Sequence, residues 1–263
     1  MKSLNLDKNI LYDLYIIKKK TSYEIAKILN CSQPTIFTYL KKYKIKSRNQ
    51  SISKQKLLKN DNYFSIPNIE NSYWAGFIAA DGNISTRISS NKILTIGLSI
   101  KDKKHLENFK SSIKYSGNIK EKINTVKGKK YKTCYIYLYS ANQICNDLLL
   151  NFNITPRKSL TLQPPNLIEL EHQLAYIIGY IDGDGCISYC RNKYLRLQLI
   201  GTNNFLQWIN TIYNNIGHIR KVKNTNIYEL AYNGQNAKSI LWNLKNFIIK
   251  NNILVLKRKW NKC

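Results

Sequence analysis

Two carboxylates stand at the same place in a repeated phrase, in a chain that has few acids. "YWAGFIAADGNIS", residues 73 to 85, is an apolar helical run that ends on Asp81 and Gly82, and "LAYIIGYIDGDGCIS", residues 174 to 188, does the same with Asp184 and Gly185. In each run small residues recur four apart, Gly76 and Ala80 in the first, Gly179 and Gly183 in the second. Small side chains on facing helices let two backbones approach, so the runs are expected to pack together along a pseudo-twofold seam. Gly82 and Gly185 are expected to stop the helices in the left-handed conformation. Each carboxylate then meets the negative end of its own helix, and the symmetry brings the two acids together. Like charges so placed raise a pKa or recruit cations. Hard divalent ions held by carboxylate, backbone carbonyl and phosphate oxygens meet that need.

Charge names the class of partner. Lys and Arg number 42 against 15 Asp and Glu, a formal net charge of +27, with 43% hydrophobic residues. That composition describes a folded, strongly basic protein rather than a disordered tail. No apolar run approaches the roughly 20 residues that span a bilayer, so no membrane is expected and a nucleic acid is the leading polyanion. The six cysteines include no CxxC pair and the start "MKSLNLDKNI" lacks the apolar core of a secretory signal. Reduced, buried thiols in an intracellular, non-secreted protein are expected. No splice-junction residues bracket the chain, which favours a free-standing or intron-encoded protein over an intein.

Positioning the two acids requires a duplicated scaffold. With Asp81 aligned on Asp184, each half reads helix, two strands, helix, two strands, helix, the strands showing period-two alternation. Ahead of this lie three short helical patterns. Thr21 with Glu24 forms a capping box, Ser32 is an N-cap with Pro34 in the first turn, and Ala26 sits at a crossing with Ile25, Leu29, Ile36 and Leu40 inside. Two helices joined by so tight a turn resemble a helix-turn-helix. Residues 1 to 60 carry 14 Lys and Arg against 3 acids. The expected domains are 1–47 (helix-turn-helix), 48–66 (basic linker), 67–162 (first repeat) and 163–263 (second repeat).

The phrases "WAGFIAADG" and "IIGYIDGDG" resemble the LAGLIDADG motif of homing endonucleases, and two copies in one chain resemble the monomeric, tandem form of that family. The resemblance runs from about Asn71 onward. It implies an α+β fold of two αββαββα repeats with antiparallel, saddle-shaped sheets. It implies Mg²⁺-dependent cutting of both strands of a long, pseudo-palindromic duplex DNA across the minor groove, leaving short 3′ overhangs, with Mn²⁺ able to substitute. The chain would act as a monomer and pseudo-dimer, promoting mobility of an intron or other selfish element. The alternative is a non-cutting relative, an intron RNA maturase or a helix-turn-helix transcription regulator, with intron RNA as partner.

By the same resemblance Asp81 and Asp184 are the catalytic metal ligands, with the carbonyls of Ala80 and Gly183 beside them. Lys158 and Lys257 are the matching basic residues, and Asp102 and Asn203 the matching polar residues that order water. The sixth motif position is Ala79 in one copy and Asp182 in the other, read as an asymmetry of the helix seam. Candidate DNA contacts are Gln33, Thr35, Thr38, Lys41, Lys42 and Arg48 in the small domain. On the sheets they are Lys120, Lys122 and Asn124 in the first repeat, and Arg220, Lys221 and Lys223 in the second. The evenly spaced Tyr131, Tyr135, Tyr137 and Tyr139 are expected to be sheet core.

Overall fold

The computed structural model describes residues 6–18, 20–45, 57–86, 91–126, 128–190 and 193–262. The chain divides into two compact units, Met1–Leu57 and Leu58–Cys263. Among the described residues no helix is long and apolar enough to cross a membrane.

The smaller unit is all helical. Helix α1 (Lys8–Tyr12) is capped by Asp7 and continues through a wider π-type turn, Asp13–Ile17. Helix α2 (Ser22–Ile28) starts on the expected capping box: the Thr21 amide donates to Glu24 Oε2 at 2.7 Å and the Glu24 amide to Thr21 Oγ1 at 3.2 Å. Helix α3 (Gln33–Lys42) starts on Ser32 with Pro34 in its first turn. Leu11, Leu14, Tyr15, Ile25, Ala26, Ile36 and Leu40 form the core, with Leu29 at its margin.

The larger unit contains the expected duplication. Helix α4 (Ile69–Asp81), strands β1 (Gly82–Thr86) and β2 (Lys92–Ser99), helix α5 (Lys103–Ser112), strands β3 (Lys120–Val126) and β4 (Lys129–Leu138) and helix α6 (Asn142–Phe152) form the first half. Helix α7 (Leu170–Asp184), β5 (Cys186–Cys190), β6 (Tyr194–Gly201), α8 (Asn203–Ile212), β7 (His218–Lys221), β8 (Tyr228–Asn233) and α9 (Gly234–Lys250) form the second, closed by α10 (Lys257–Trp260). Each half carries an antiparallel four-stranded sheet, in the orders β1-β2-β4-β3 and β5-β6-β8-β7. One core joins the inner faces of both sheets to the helices, with Leu94, Ile96, Cys134, Ile136 and Leu138 from the first sheet and Ile187, Leu197, Leu199, Leu230 and Tyr232 from the second.

Two expectations are corrected at this level. Residues 58–66, expected as the end of the basic linker 48–66 because the segment shows no clear core face, belong to the larger unit. The Leu58 amide donates to Ser116 Oγ at 2.8 Å, the Asn60 amide donates to the Ile113 carbonyl at 2.8 Å, and Phe64 is fully buried against Phe152. Two adjacent aromatic anchors, Phe64 and the partly buried Tyr63, too few for a periodicity, fasten the segment. Cys186 and Cys190 are exposed rather than buried, whereas Cys134 and Cys145 are buried as expected. In β5 the odd-sided position Ile187 takes the core and leaves both thiols on the other face.

Candidate metal and nucleic-acid site

The site begins with the fit between α4 and α7. A Cβ added at Gly76 would overlap the carbonyl oxygen of Tyr176, and one at Gly179 the carbonyl oxygen of Tyr73. The helices therefore touch backbone to backbone, as the small-residue spacing predicts. At the end of the seam a Cβ on Gly183 would meet the methyl of Ala80 and lie 3.4 Å from Asp81 Oδ2. The two helices end on Asp81 and Asp184.

Gly82 and Gly185 are not left-handed. Their φ values are −80° and −76°, and the chain passes straight from helix into β1 and β5. Space is what demands glycine, since a Cβ at either position would lie 2.6 Å from the carbonyl oxygen of Ile78 or Ile181.

Burial and mutual repulsion make the acids costly to ionise. Asp81 is pushed up to about 6, first by loss of water and then by the charge of Asp184, while Lys259 and Lys158 pull it back. Asp184 is likewise raised by burial, against the same two lysines. Both ammonium groups are held below their ordinary range by burial. Arg157, with φ of +57°, turns the chain so that Lys158 enters the interior and donates to the Gly82 carbonyl.

The second lysine is not the one the sequence pattern picks. Lys257 is exposed. Lys259 is buried and donates to the carbonyls of Ile181, Gly183 and Gly185 at 2.9, 2.9 and 2.8 Å. Gly185 matches Gly82 in the duplication, so Lys259 is the counterpart of Lys158. In "LKRKW" the segment coils into α10, and a helical turn decides which of three adjacent bases points inward.

Asp102 is nine-tenths buried and takes a bidentate pair from Arg258, at 2.9 and 2.7 Å, a partner that spacing gave no means of finding. Asn203 does not reproduce this arrangement. It is the first residue of α8, and Thr202 before it is the N-cap, donating its hydroxyl to the Leu162 carbonyl at 2.5 Å.

Behind the acids lies the asymmetry at the sixth motif position. Ala79 is a buried methyl, whereas Asp182 is 1% exposed and accepts from Tyr73 Oη at 2.7 Å, the Leu256 amide at 2.9 Å and Trp260 Nε1 at 2.8 Å. Tyr73 Oη also meets His105 Nε2 at 2.9 Å, and burial holds that imidazole down to about 4, neutral at ordinary pH. Asp182 thus anchors the segment that delivers Arg258 and Lys259.

Among the described residues no group of three or more His, Cys, Asp or Glu side chains gathers as a metal cluster. The donors at the seam are two carboxylates and backbone oxygens, an all-oxygen set that fits a hard divalent cation completed by further oxygen ligands. The Gly183 carbonyl is engaged by Lys259. A cavity of about 130 Å³ adjoins Asp184, lined also by Ala80, Lys158, Ser159 and Tyr180.

Each sheet turns a second face away from the core. Residues opposite one another across antiparallel strands share a face, so Lys120 with Tyr135, Lys122 with Thr133 and Asn124 with Tyr131 lie together on the first sheet. The tyrosines are therefore on the outer face, and the core positions between them are Cys134, Ile136 and Leu138. Both alternating sets of β4 are apolar enough to be core, and only the lysines of the neighbouring strand decide between them. Tyr135 stacks on Tyr137 and Tyr137 on Tyr139, with centroids 5.9 and 6.2 Å apart, and Lys122 Nζ donates to Tyr137 Oη at 2.9 Å.

On the second sheet Arg220 pairs with Glu229, and Arg196 reaches the same carboxylate at 2.9 Å. Arg220 binds it through two nitrogens, at 3.1 and 3.0 Å. Lys221, next along β7, falls on the opposite side with Tyr228, because adjacent strand residues cannot share a face. Lys223 lies in the turn between β7 and β8.

In the smaller unit Gln33, Thr38, Lys41 and Lys42 are exposed and Thr35 is partly so. Gln33 Nε2 donates to Ser22 Oγ at 2.9 Å, Thr35 bonds Ser32, and Thr38 donates to the Pro34 carbonyl at 3.1 Å. Arg48 lies outside the described residues. Phe37, half exposed one turn from Lys41, was not singled out by the helical pattern.

No curated protein matches the chain in sequence. Among solved structures, the I-LtrWI LAGLIDADG homing endonuclease bound to target DNA aligns over 75% of this chain and 87% of its own, at 13% identity and a TM-score of 0.46. The meganuclease I-SmaMI bound to uncleaveable DNA with a TTGT central four aligns over 73% and 88%, at 16% identity and 0.46. The LAGLIDADG meganuclease I-AabMI bound to uncleaved DNA aligns over 72% and 86%, at 18% identity and 0.43. The family described as LAGLIDADG-like domain matches residues 68–146. The chain therefore carries a LAGLIDADG-like domain over residues 68–146, and its second half repeats the same helix, Asp-Gly end and four-stranded sheet.

Proposed function

We propose that the protein is a site-specific endonuclease of double-stranded DNA, requiring Mg²⁺ or Mn²⁺ and hydrolysing one phosphodiester in each strand to leave short 3′ overhangs. The observation that carries this reading is the convergence of Asp81 and Asp184 at a glycine seam, each raised by burial and flanked by Lys158 and Lys259. Asp81, Asp184 and the carbonyls of Ala80 and Gly183 would hold the divalent cations. A bound divalent ion supplies Lewis-acid stabilisation of charge on the phosphate oxygens and acidifies water.

The chain's own residues do the rest. Lys158 and Lys259 keep the carboxylate pair from repelling itself apart. Arg258 fixes the Asp102 carboxylate with both oxygens engaged, so it orients polar groups rather than diffusing among them. The outer faces of the sheets, with Lys120, Lys122, Asn124, Arg196 and Arg220, meet the major groove of a long pseudo-palindromic target as one monomer with two halves. Helix α3 in the smaller unit adds a helix-turn-helix contact through Lys41 and Lys42. The protein acts inside the cell, wherever the DNA that carries its target lies, in the mobility of an intron or other selfish element.

The test is selection from a randomised duplex pool with Mg²⁺. Recovery of one cleaved family of sequences with 3′ overhangs is expected, and removal of residues 1–57 is expected to weaken binding while leaving metal-dependent cutting. Specific binding without cutting under Mg²⁺ and Mn²⁺ alike would overturn the reading in favour of a binding protein.

A further inference from the structure

At the end of the second sheet, away from the paired acids, an open cleft of about 590 Å³ runs between the β5–β6 hairpin and helix α9. Tyr189 and Tyr194 stand on one side, Lys238 and Trp242 on the other, with Lys193 and Gln235 also among the lining residues. Trp242 is 63% exposed, Tyr194 60% and Tyr189 54%. The other tryptophans contrast with it: Trp74 and Trp260 are buried, and Trp208 is partly buried against the core. Gln235, Lys238 and Trp242 fall at helical spacing on the outward side of α9, whose inward side is Ala237, Ile240, Leu241 and Leu244. The large ring is therefore not forced outward by a failure of the core; the core has its own residues.

The chemistry of the lining is specific. Among the described residues that line the cleft, both charged groups are lysines and none is an acid. Three rings with polar edges and two ammonium groups match a ligand with flat aromatic faces and a chain of anions. A duplex hides its base faces in its own stack and offers an aromatic ring only backbone and groove edges, whereas a single strand offers both bases and phosphates. Acidic peptide would satisfy the lysines but leave the rings without planar partners. Tyr194 pairs with Cys190, which places it on the same outer face of the sheet as Arg196, while Tyr189 pairs with Leu195 on the helix side. The cleft thus wraps around the sheet end, continuous with the outer face and turning toward α9.

We propose that this cleft is a binding site for single-stranded nucleic acid, RNA or unpaired DNA, whose bases stack on Trp242, Tyr194 and Tyr189 and whose phosphates meet Lys193 and Lys238. The proposal is independent of whether the seam cuts DNA.

The test uses the full chain titrated with single-stranded oligouridylate and oligothymidylate of 15 nucleotides, and with a mixed-sequence duplex of equal length. Tryptophan emission and anisotropy of the labelled strand are read in parallel. Quenching of the solvent-exposed tryptophan component by the single strands is expected. Trp242→Phe should remove that quenching and keep most of the affinity, because a ring remains. Trp242→Leu should weaken single-strand binding by about fivefold or more, the effect of losing one base stack. Duplex binding by Trp242→Leu should stay at the unsubstituted level, which also shows that the variant is folded. Unchanged single-strand affinity in Trp242→Leu, or equal quenching by the duplex, would overturn the proposal; in the second case the cleft is a duplex contact. An RNA-only or DNA-only response decides which single strand the site takes.

Discussion

The carboxylate of Asp182 accepts a hydrogen bond from the indole Nε1 of Trp260 at 2.8 Å, tying the second motif helix to the last helix of the chain. The same carboxylate accepts from the Leu256 amide and from Tyr73 of the first motif helix. Three elements are clamped at one buried point, and the residues between the two anchors on the last segment include Arg258 and Lys259.

Asp182→Ala leaves the Leu256 amide and Trp260 Nε1 without an acceptor, at about 1–3 kcal/mol each when buried, while the Tyr73 hydroxyl keeps only His105 Nε2 as a partner. A loss of about 3 kcal/mol or more in urea-denaturation stability is expected. Asp182→Asn, which keeps one acceptor oxygen, should lose less and should retain binding to the selected duplex while its cleavage rate falls, because the placement of Lys259 slackens. Equal loss of rate and affinity would show a general loosening instead.

The two neighbouring lysines separate cleanly. Lys259→Met removes three hydrogen bonds to the second motif's carbonyls and the cation beside both acids, and cleavage should fall by roughly a hundredfold, the scale of one preorganised electrostatic group. Lys257→Met, on an exposed side chain, should cut nearly normally and show only a shallower salt dependence of binding. Single-turnover cleavage rates under saturating protein decide between them.

How far the sequence shows this site depends on the kind of signal. The acids, the glycine seam and the duplication are local patterns, and spacing reveals them. Lys259 is hidden because three bases in a row carry no information about which faces inward until α10 coils. Arg258 is hidden because its partner, Asp102, is 156 residues away. The tyrosines of β4 are misread for a different reason: period two gives two faces, and only the register against Lys120 and Lys122 says which is open. Gly82 and Gly185 are correctly placed but for the wrong cause, since crowding by Ile78 and Ile181 excludes a side chain where the backbone needs no unusual φ.

The seam itself is testable without any substrate. Gly76→Ala or Gly179→Ala puts a methyl where a carbonyl oxygen of the opposite helix lies, and backbone cannot yield as a side-chain tip does. Destabilisation of about 3 kcal/mol or more is expected from such overpacking, read as a lowered Tm or as insoluble expression. Gly128→Ala, in a turn with open space around it, removes no such contact, and its cost is confined to its φ of +76°.

The raised pKa of Asp81 carries a sign. A carboxyl that titrates near 6 when folded and near 4 when unfolded holds its proton more tightly in the native state. Its contribution to stability is present below about pH 4 and lost as pH rises through about 6. Without divalent ions, Asp81→Asn should therefore raise Tm at pH 7.5 by a few degrees and change it little at pH 4. The opposite trend comes from His105, whose depressed pKa makes stability fall as pH drops from about 6.5 toward 4. Melting curves of the single variants against pH separate the two.

The central claim is that Asp81 and Asp184 together make one metal-dependent cutting centre. The most direct measurement is cleavage of the selected duplex by the unsubstituted protein, Asp81→Asn and Asp184→Asn, with Mg²⁺ and with chelator, alongside duplex affinity in the same buffers. Cutting by the unsubstituted protein only with metal, and its loss in both variants at undiminished affinity, is the predicted result. Full cleavage by either variant, or by the unsubstituted protein in chelator, would contradict it.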